Sequence, residues 1–292
     1  MINFKIDKKN NNKKLVNVIL LKYSFLSSSI IYKALRKKDI LINGKRIKEN
    51  ISVFENDEVI AYIDIEKFTK NNKLDIVYED DNILVINKAQ GISVTENTNE
   101  EHTLTKLVQD YCTSAMPCHR LDRNTGGLVL FAKNSESLEI LLQKFKNREI
   151  DKYYVCLVYG IPKVKSQRLV AYLFKDNKKS LVYISDSPKK GYQKIITSYK
   201  IVSSNKDKNI SLLEIKLETG RTHQIRAHLA HIGYPIIGDG KYGINEINKK
   251  FKEKKQMLMS YKLLFNFSSD AGKLHYLQNK IIEISYDSFK KN

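Results

Sequence analysis

Along the first sixty residues, apolar positions recur at helical spacing and then at strand spacing. Leu15, Val16, Ile19 and Leu20 share one helical face, and Ile31 and Leu35 make a second stripe after Ser27-Ser28-Ser29, a cluster suited to an N-cap. Ile40-Leu41-Ile42 and Ile47 flank Asn43-Gly44, the dipeptide that most readily takes the positive φ angles of a two-residue hairpin turn. A second turn at Asn56-Asp57 precedes Val59-Ile60-Ala61-Tyr62. The pattern predicts two short helices and a set of small strands over residues 14–63. A basic tail, 1–13, precedes them, and a polar linker, 64–74, follows.

Beyond the linker the pattern is richer in strands. Ile76-Val77-Tyr78 and Ile83-Leu84-Val85-Ile86 are joined by the polar turn Glu79-Asp80-Asp81-Asn82. Leu128-Val129-Leu130-Phe131-Ala132 is apolar throughout, as in a strand covered on both faces. A helix is predicted from Ser135 to Phe145, with Leu138, Leu141, Leu142 and Phe145 on one side. Tyr153 to Val158 reads as a strand, as does Leu212 to Leu217, which runs through Thr219-Gly220 into a helix from Arg221 or Thr222 to about Ile232. Ile225, Leu229 and Ile232 form its stripe and Gly233 its cap. Runs of strands without regular helix alternation predict an α+β domain over residues 75–292, on a mixed and largely antiparallel sheet. A chain of 292 residues accommodates that domain and the smaller one before it.

Charge narrows the class of partner. The chain carries 51 Lys and Arg against 32 Asp and Glu, a net +19, which favours a polyanion such as nucleic acid; a proteome-wide lysine bias would produce the same sum. Residues 1–63 hold 13 Lys and Arg against 6 Asp and Glu, the higher density of positive charge. Lys33, Arg36 and Lys37 oppose the apolar stripe of the second helix, and the hairpin would bring Lys45 and Arg46 near them, a surface fit for phosphates. No apolar run approaches the ~20 residues of a membrane span, and the N-terminus shows no export-signal pattern. Cys112, Cys118 and Cys156 form no even framework and suit a reducing cytoplasm. His223, His228 and His231 lack metalloprotease spacing, and no glycine-rich phosphate loop is present, so neither a metal nor a nucleotide cofactor is expected. Repeated surface charge without an apolar patch suggests a monomer.

The candidate chemistry centres on His119-Arg120-Leu121-Asp122-Arg123-Asn124-Thr125-Gly126-Gly127, which sets one carboxylate between two arginines on a polar loop ahead of a buried strand. Flanking cations favour an ionised carboxylate, so Asp122 is a candidate nucleophile or electrostatic catalyst; by itself the segment reads first as a surface turn in which Asp122 bridges Arg120 and Arg123. Thr219, Gly220, Arg221 and Thr222 would present backbone N–H groups and a guanidinium at a helix start, a place for a phosphate or carboxylate.

With Lys152-Tyr153-Tyr154, Gly220-Arg221-Thr222-His223-Gln224-Ile225-Arg226 and Gly233-Tyr234-Pro235-Ile236-Ile237-Gly238-Asp239 following in order, this loop resembles the RluA-type RNA pseudouridine synthases. The N-terminal pattern resembles the S-four-like, or alpha-L, RNA-binding domain. The resemblance implies an isomerase that converts uridine in structured RNA to pseudouridine without a cofactor, most often in large-subunit ribosomal RNA, with transfer RNA the alternative. It implies Asp122 as the catalytic aspartate, Arg221 as its ionic partner and Tyr154 against the displaced base. Arg120, Arg123, Thr222, His223 and Arg226 would contact RNA, with Lys33, Arg36, Lys37, Lys45 and Arg46 gripping its backbone. Ala89, where the family usually has proline, and Gly126, where it more often has Ser or Thr, depart from the pattern. Three rival readings remain: a non-catalytic RNA-binding or ribosome-assembly factor; a glycosidase-like hydrolase drawing a second carboxylate from Glu218 or Asp239; and, weakest, a membrane-surface protein, for which no long basic amphipathic helix is evident.

Overall fold

The computed structural model describes residues 1–23, 26, 28–63, 74–95 and 103–290, and the chain divides into two compact units, Met1–Leu74 and Asp75–Asn292. The linker expected at 64–74 lies almost wholly outside the described residues, as does Ser27 of the expected N-cap cluster.

In the first unit, helices Leu15–Lys22 and Ser28–Arg36 pack against a four-stranded antiparallel sheet ordered Ile2–Lys5, Glu58–Ala61, Ile40–Ile42, Lys45–Ile47. Asn43 and Gly44 take φ of 48° and 76°, so the hairpin closes as its dipeptide requires. Ile2–Lys5 differs from the expected basic tail. Ile2 and Phe4 alternate with Asn3 and Lys5, and pairing with Glu58–Ala61 buries both apolar side chains in the core with Leu15, Ile19, Ile31 and Ile40. Lys33, Arg36, Lys37, Lys45 and Arg46 are all exposed. Arg46 also donates to the Lys38 carbonyl at 2.7 Å, which ties the hairpin to the end of the second helix.

The second unit is built on an eleven-stranded sheet. Its main path runs Leu181–Ser185, Ser166–Asp176, Gln193–Asn205, Ile210–Leu217, Ile150–Tyr159, Leu258–Phe265, Gly126–Ala132, Ile83–Lys88, Ile76–Glu79. The one parallel junction joins Gly126–Gly127 to Met259–Ser260; the other paired strands are antiparallel. All seven residues of Gly126–Ala132 are buried, consistent with their unbroken apolar run. Helix Ser135–Lys146 covers one face through Leu141, but Leu142 is 46% exposed, contrary to its place in the expected stripe. Lys144 is buried in its stead, where it meets Glu149 at 2.7 Å and the Ser269 carbonyl at 2.6 Å. A charged position was therefore inside and an apolar one outside, because the partner carboxylate comes from beyond the helix. No helix among the described residues is long and apolar enough to cross a membrane.

Gly127 is fixed by close approach. Its φ is +105°, and a Cβ there would stand 1.9 Å from the Ser260 carbonyl oxygen at the parallel junction. Gly127→Ala is expected to cost at least ~3 kcal/mol, from backbone strain plus a clash that only separation of two central strands relieves. Chemical denaturation reads this out directly. A midpoint unchanged from wild type would show that the junction is looser than the structure has it.

Candidate active site

The Asp122 loop leads into the parallel junction and is clamped along its length. The Thr125 N–H donates to the Asp122 carbonyl at 3.0 Å, closing a turn, and the Gln256 side chain donates to the Thr125 hydroxyl at 2.6 Å. Lys88, 1% exposed, spends its ammonium on three carbonyls: Ala89 at 3.0 Å, Ile92 at 2.8 Å and Arg123 at 3.1 Å. Burial pulls its pKa down to about 8, with the charge of Asp122 opposing that shift. Arg123 closes the clamp by donating from Nε to the Gly91 carbonyl at 3.0 Å. Gly126 packs under Gln90, whose Cγ would lie 3.3 Å from a Cβ, so the side chain that most of the resembled family carries there has little room here.

Asp122 thereby projects into a cavity of about 250 Å³, walled by His119, Arg120, Lys152, Tyr154, Arg221 and Arg226 among others. This is the scale of a single nucleoside rather than of a drug-sized ligand. The carboxylate remains 26% exposed and accepts from Arg226 Nη1 at 3.2 Å. Arg226 is also held bidentately by Asp239, at 2.7 Å to Nε and 2.9 Å to Nη2, and Asp239 is wholly buried. Asp239 in turn accepts from the Lys241 and Tyr242 N–H groups, so the guanidinium is seated by a rigid loop before it reaches Asp122. Burial alone would raise the Asp239 pKa, but Arg226 and these N–H donors outweigh it and hold the carboxyl below its ordinary value.

This pairing corrects the expectation that Arg221 is the partner. Helix formation begins at Gln224, not at Arg221 or Thr222, because His223 takes the left-handed conformation at φ 53° and the chain enters the helix only afterwards. Arg226 lies on the first helical turn and points into the buried side, whereas Arg221 lies on the preceding loop, exposed at the cavity wall. The free N–H groups expected at this helix start are also partly absent. Gln224, 2% exposed, accepts from the Arg221 N–H at 3.1 Å and the Thr219 hydroxyl at 2.9 Å, and donates to the Ile196 carbonyl and Thr197 hydroxyl.

Tyr154 reaches the cavity from strand Ile150–Tyr159, where a register shift between Tyr153 and Tyr154 re-aims the side chain. Burial first, and then the negative charge of Asp122, push its phenol pKa up, so Tyr154 stays protonated at any working pH. His119 is neutral for the complementary reason: burial and the nearby Lys152 charge bring it to about 3, and its Nε2 accepts from the Leu130 N–H at 3.1 Å. His223 Nδ1 lies 2.9 Å from the Tyr242 hydroxyl and lines the same cavity; Thr222 faces an adjoining one. Arg120 is exposed at the rim and Arg123 is engaged in the clamp. Among the described residues no group of His, Cys, Asp and Glu is arranged to hold a metal. Glu218 is paired with Arg168 at 2.8 Å and lies outside the cavity lining, and Asp239 is held by Arg226 and the Lys241 and Tyr242 N–H groups, which leaves Asp122 the one carboxylate among the described residues that line the cavity.

A largely antiparallel sheet in an α+β unit, with one carboxylate seated by a buried arginine beneath a cationic rim, fits an enzyme that works on a polyanion without a second acid. Residues 82–231 match the family described as RNA pseudouridylate synthase, and the chain belongs to that family: it is an isomerase that forms pseudouridine in RNA. It is 33% identical to ribosomal large subunit pseudouridine synthase C of Rickettsia bellii, over 77% of this chain and 81% of that one. Ribosomal large subunit pseudouridine synthase D of Borreliella burgdorferi is 31% identical, over 79% of this chain and 75% of its own. The fold is shared with human RNA Pseudouridylate Synthase Domain Containing 1, at TM-score 0.57 and 21% identity, covering 75% of this chain and 94% of the human one.

Proposed function

We propose that this chain isomerises uridine in large-subunit ribosomal RNA, with Asp122 as the catalytic carboxylate, Arg226 as its positioning residue and Tyr154 as the group facing the displaced base. The observation that carries the assignment is the Asp122–Arg226–Asp239 chain of charges at the floor of a nucleoside-sized cavity. The reaction breaks the bond from ribose C1′ to uracil N1 and makes one from C1′ to C5; C5 gives up a proton, N1 acquires one, and nothing is oxidised. The Asp122 carboxylate stabilises the electron-poor sugar or bonds to it, and Arg226 holds that carboxylate aimed. The target base must leave its stack, at a cost of a few kcal/mol that stacking and phosphate contacts offset. The ribosomal choice rests on the names of the relatives; transfer RNA is the competing substrate. A cytoplasmic monomer fits both.

The test is a transcriptome-wide pseudouridine map of the host lacking the gene, with wild-type or Asp122→Ala protein supplied back. Ribosomal sites lost in the deletion and restored only by the wild type support the reaction, the ribosomal substrate and the need for Asp122. Restoration by the variant removes Asp122 from the chemistry, and sites confined to transfer RNA move the substrate.

The N-terminal unit is read as an S-four-like RNA grip. Lys33, Arg36, Lys37, Lys45 and Arg46 would contact phosphates without specifying sequence. Removing residues 1–63 is expected to weaken RNA affinity and flatten its salt dependence by ~0.7–0.9 per lost phosphate contact, while the catalytic unit stays folded. Filter binding across a salt series measures it, and a truncated protein with wild-type affinity and slope would place the grip elsewhere.

A further inference from the structure

A second cavity, of about 430 Å³, adjoins the catalytic one and shares Lys152, Leu217 and Gly220 with it. Its charges are unevenly matched. Asp151 is paired with Lys216 at 2.7 Å and Glu218 with Arg168 at 2.8 Å, so both acids lining it are neutralised within the protein. Arg148 and Lys152, by contrast, show no carboxylate partner among the described residues. Lys152 stands over the Phe145 ring at 5.3 Å, and burial lowers its pKa with no carboxylate opposing that shift. Gly220 keeps this corner open: a Cβ there would lie 3.2 Å from Lys152 Nζ. Arg148 is presented by the turn after helix Ser135–Lys146, at φ 61°. At the other end of the Gly220–His223 loop a further cavity of about 200 Å³ is lined by Thr222, His223, Lys175 and Lys241 and by no carboxylate.

We propose that the cavity beside the catalytic pocket is a phosphate subsite for the nucleotide next to the target uridine, with Arg148 and Lys152 as its cations. One RNA strand then crosses the Gly220–His223 loop, with the target base in the central cavity and a neighbouring phosphodiester against Arg148 and Lys152. The strand continues toward Lys241 and Lys175. An anion supplies the partner that the fold withholds from Arg148 and Lys152, and the guanidinium can grip two phosphate oxygens at once. The inference rests on the uridine-isomerising reading of the central cavity. Arg148 separates the two because it lines the flanking cavity and not the central one.

The test uses the full-length protein with large-subunit ribosomal RNA transcript of the host, and with short fragments of it carrying single methylphosphonates near the modified uridine. Arg148→Asn, which suits left-handed backbone, is expected to raise KM and the dissociation constant about tenfold and to leave kcat within about twofold. It should also lower the salt slope by ~0.7–0.9. Neutralising one flanking phosphate should weaken wild type and leave Arg148→Asn indifferent. Lys152→Met should give the same loss of sensitivity at that phosphate. Unchanged affinity and slope in Arg148→Asn, or losses that add at every phosphate, would overturn the subsite. Binding is read alongside turnover, so a wild-type protein that forms no pseudouridine counts against the functional reading, while its affinity still decides the subsite.

Discussion

Asp122→Asn is expected to lower pseudouridine formation by on the order of 10³-fold or more while RNA affinity stays within about twofold of wild type. The substitution keeps the side-chain shape and leaves an oxygen to accept from Arg226, so the loop and its clamp through Lys88 and Gln256 should be undisturbed. What is lost is the negative charge that the proposed mechanism sets against the sugar. A carboxylate also differs from an amide as a nucleophile, so the same variant removes either form of participation. Single-turnover assays on the mapped RNA measure it, with a binding assay on the same preparation showing that the protein is intact. Turnover within tenfold of wild type would remove Asp122 from the chemistry and leave the cavity without a carboxylate to do it.

The second large effect belongs to Arg226, and it combines stability with catalysis. Arg226→Met strands the buried carboxylate of Asp239, whose two oxygens now take two guanidinium bonds, and is expected to destabilise the second unit by ~3–5 kcal/mol. Pairing it with Asp239→Asn should restore part of that stability, because the unpaired buried charge is gone, but none of the activity, because Asp122 still lacks its cation. Arg226→Lys should fold better than Arg226→Met and remain a poor catalyst, since one ammonium cannot hold both Asp239 oxygens and also reach Asp122. The pH dependence has a definite sign. The Asp239 pKa is lowered in the folded state, so its stabilisation is present above the ordinary carboxylate pKa and is lost as pH falls through the lower, folded value. Removing both partners should flatten that acid limb of the stability curve. A double variant no more stable than Arg226→Met, or one that recovers turnover, would break the proposed division of labour between the two aspartates.

Much of this was legible in the sequence because it depends on neighbours a few residues apart. Asn43-Gly44 closes a hairpin through its own backbone preferences, and Leu128–Ala132 becomes a buried strand because no register leaves it a polar face. The motif resemblance likewise put Asp122, Tyr154 and Arg221 into one site with Arg226 among the RNA contacts, and these four line one cavity. The choice between Arg221 and Arg226 was of another kind. It depends on a left-handed residue at His223, which delays the helix until Gln224, and on a buried carboxylate 13 positions further on that turns Arg226 inward. Lys144 was hidden in the same way, since its inward turn depends on Glu149 and Ser269. Ile2–Lys5 was hidden by distance, since its strand exists only through Glu58–Ala61. Sequence determined the elements and the chemical vocabulary of the site; tertiary structure decided which charges meet. Periodicity and turn preference act over a few residues of chain, whereas an ion pair across 104 residues exists only once the sheet has brought its two halves together.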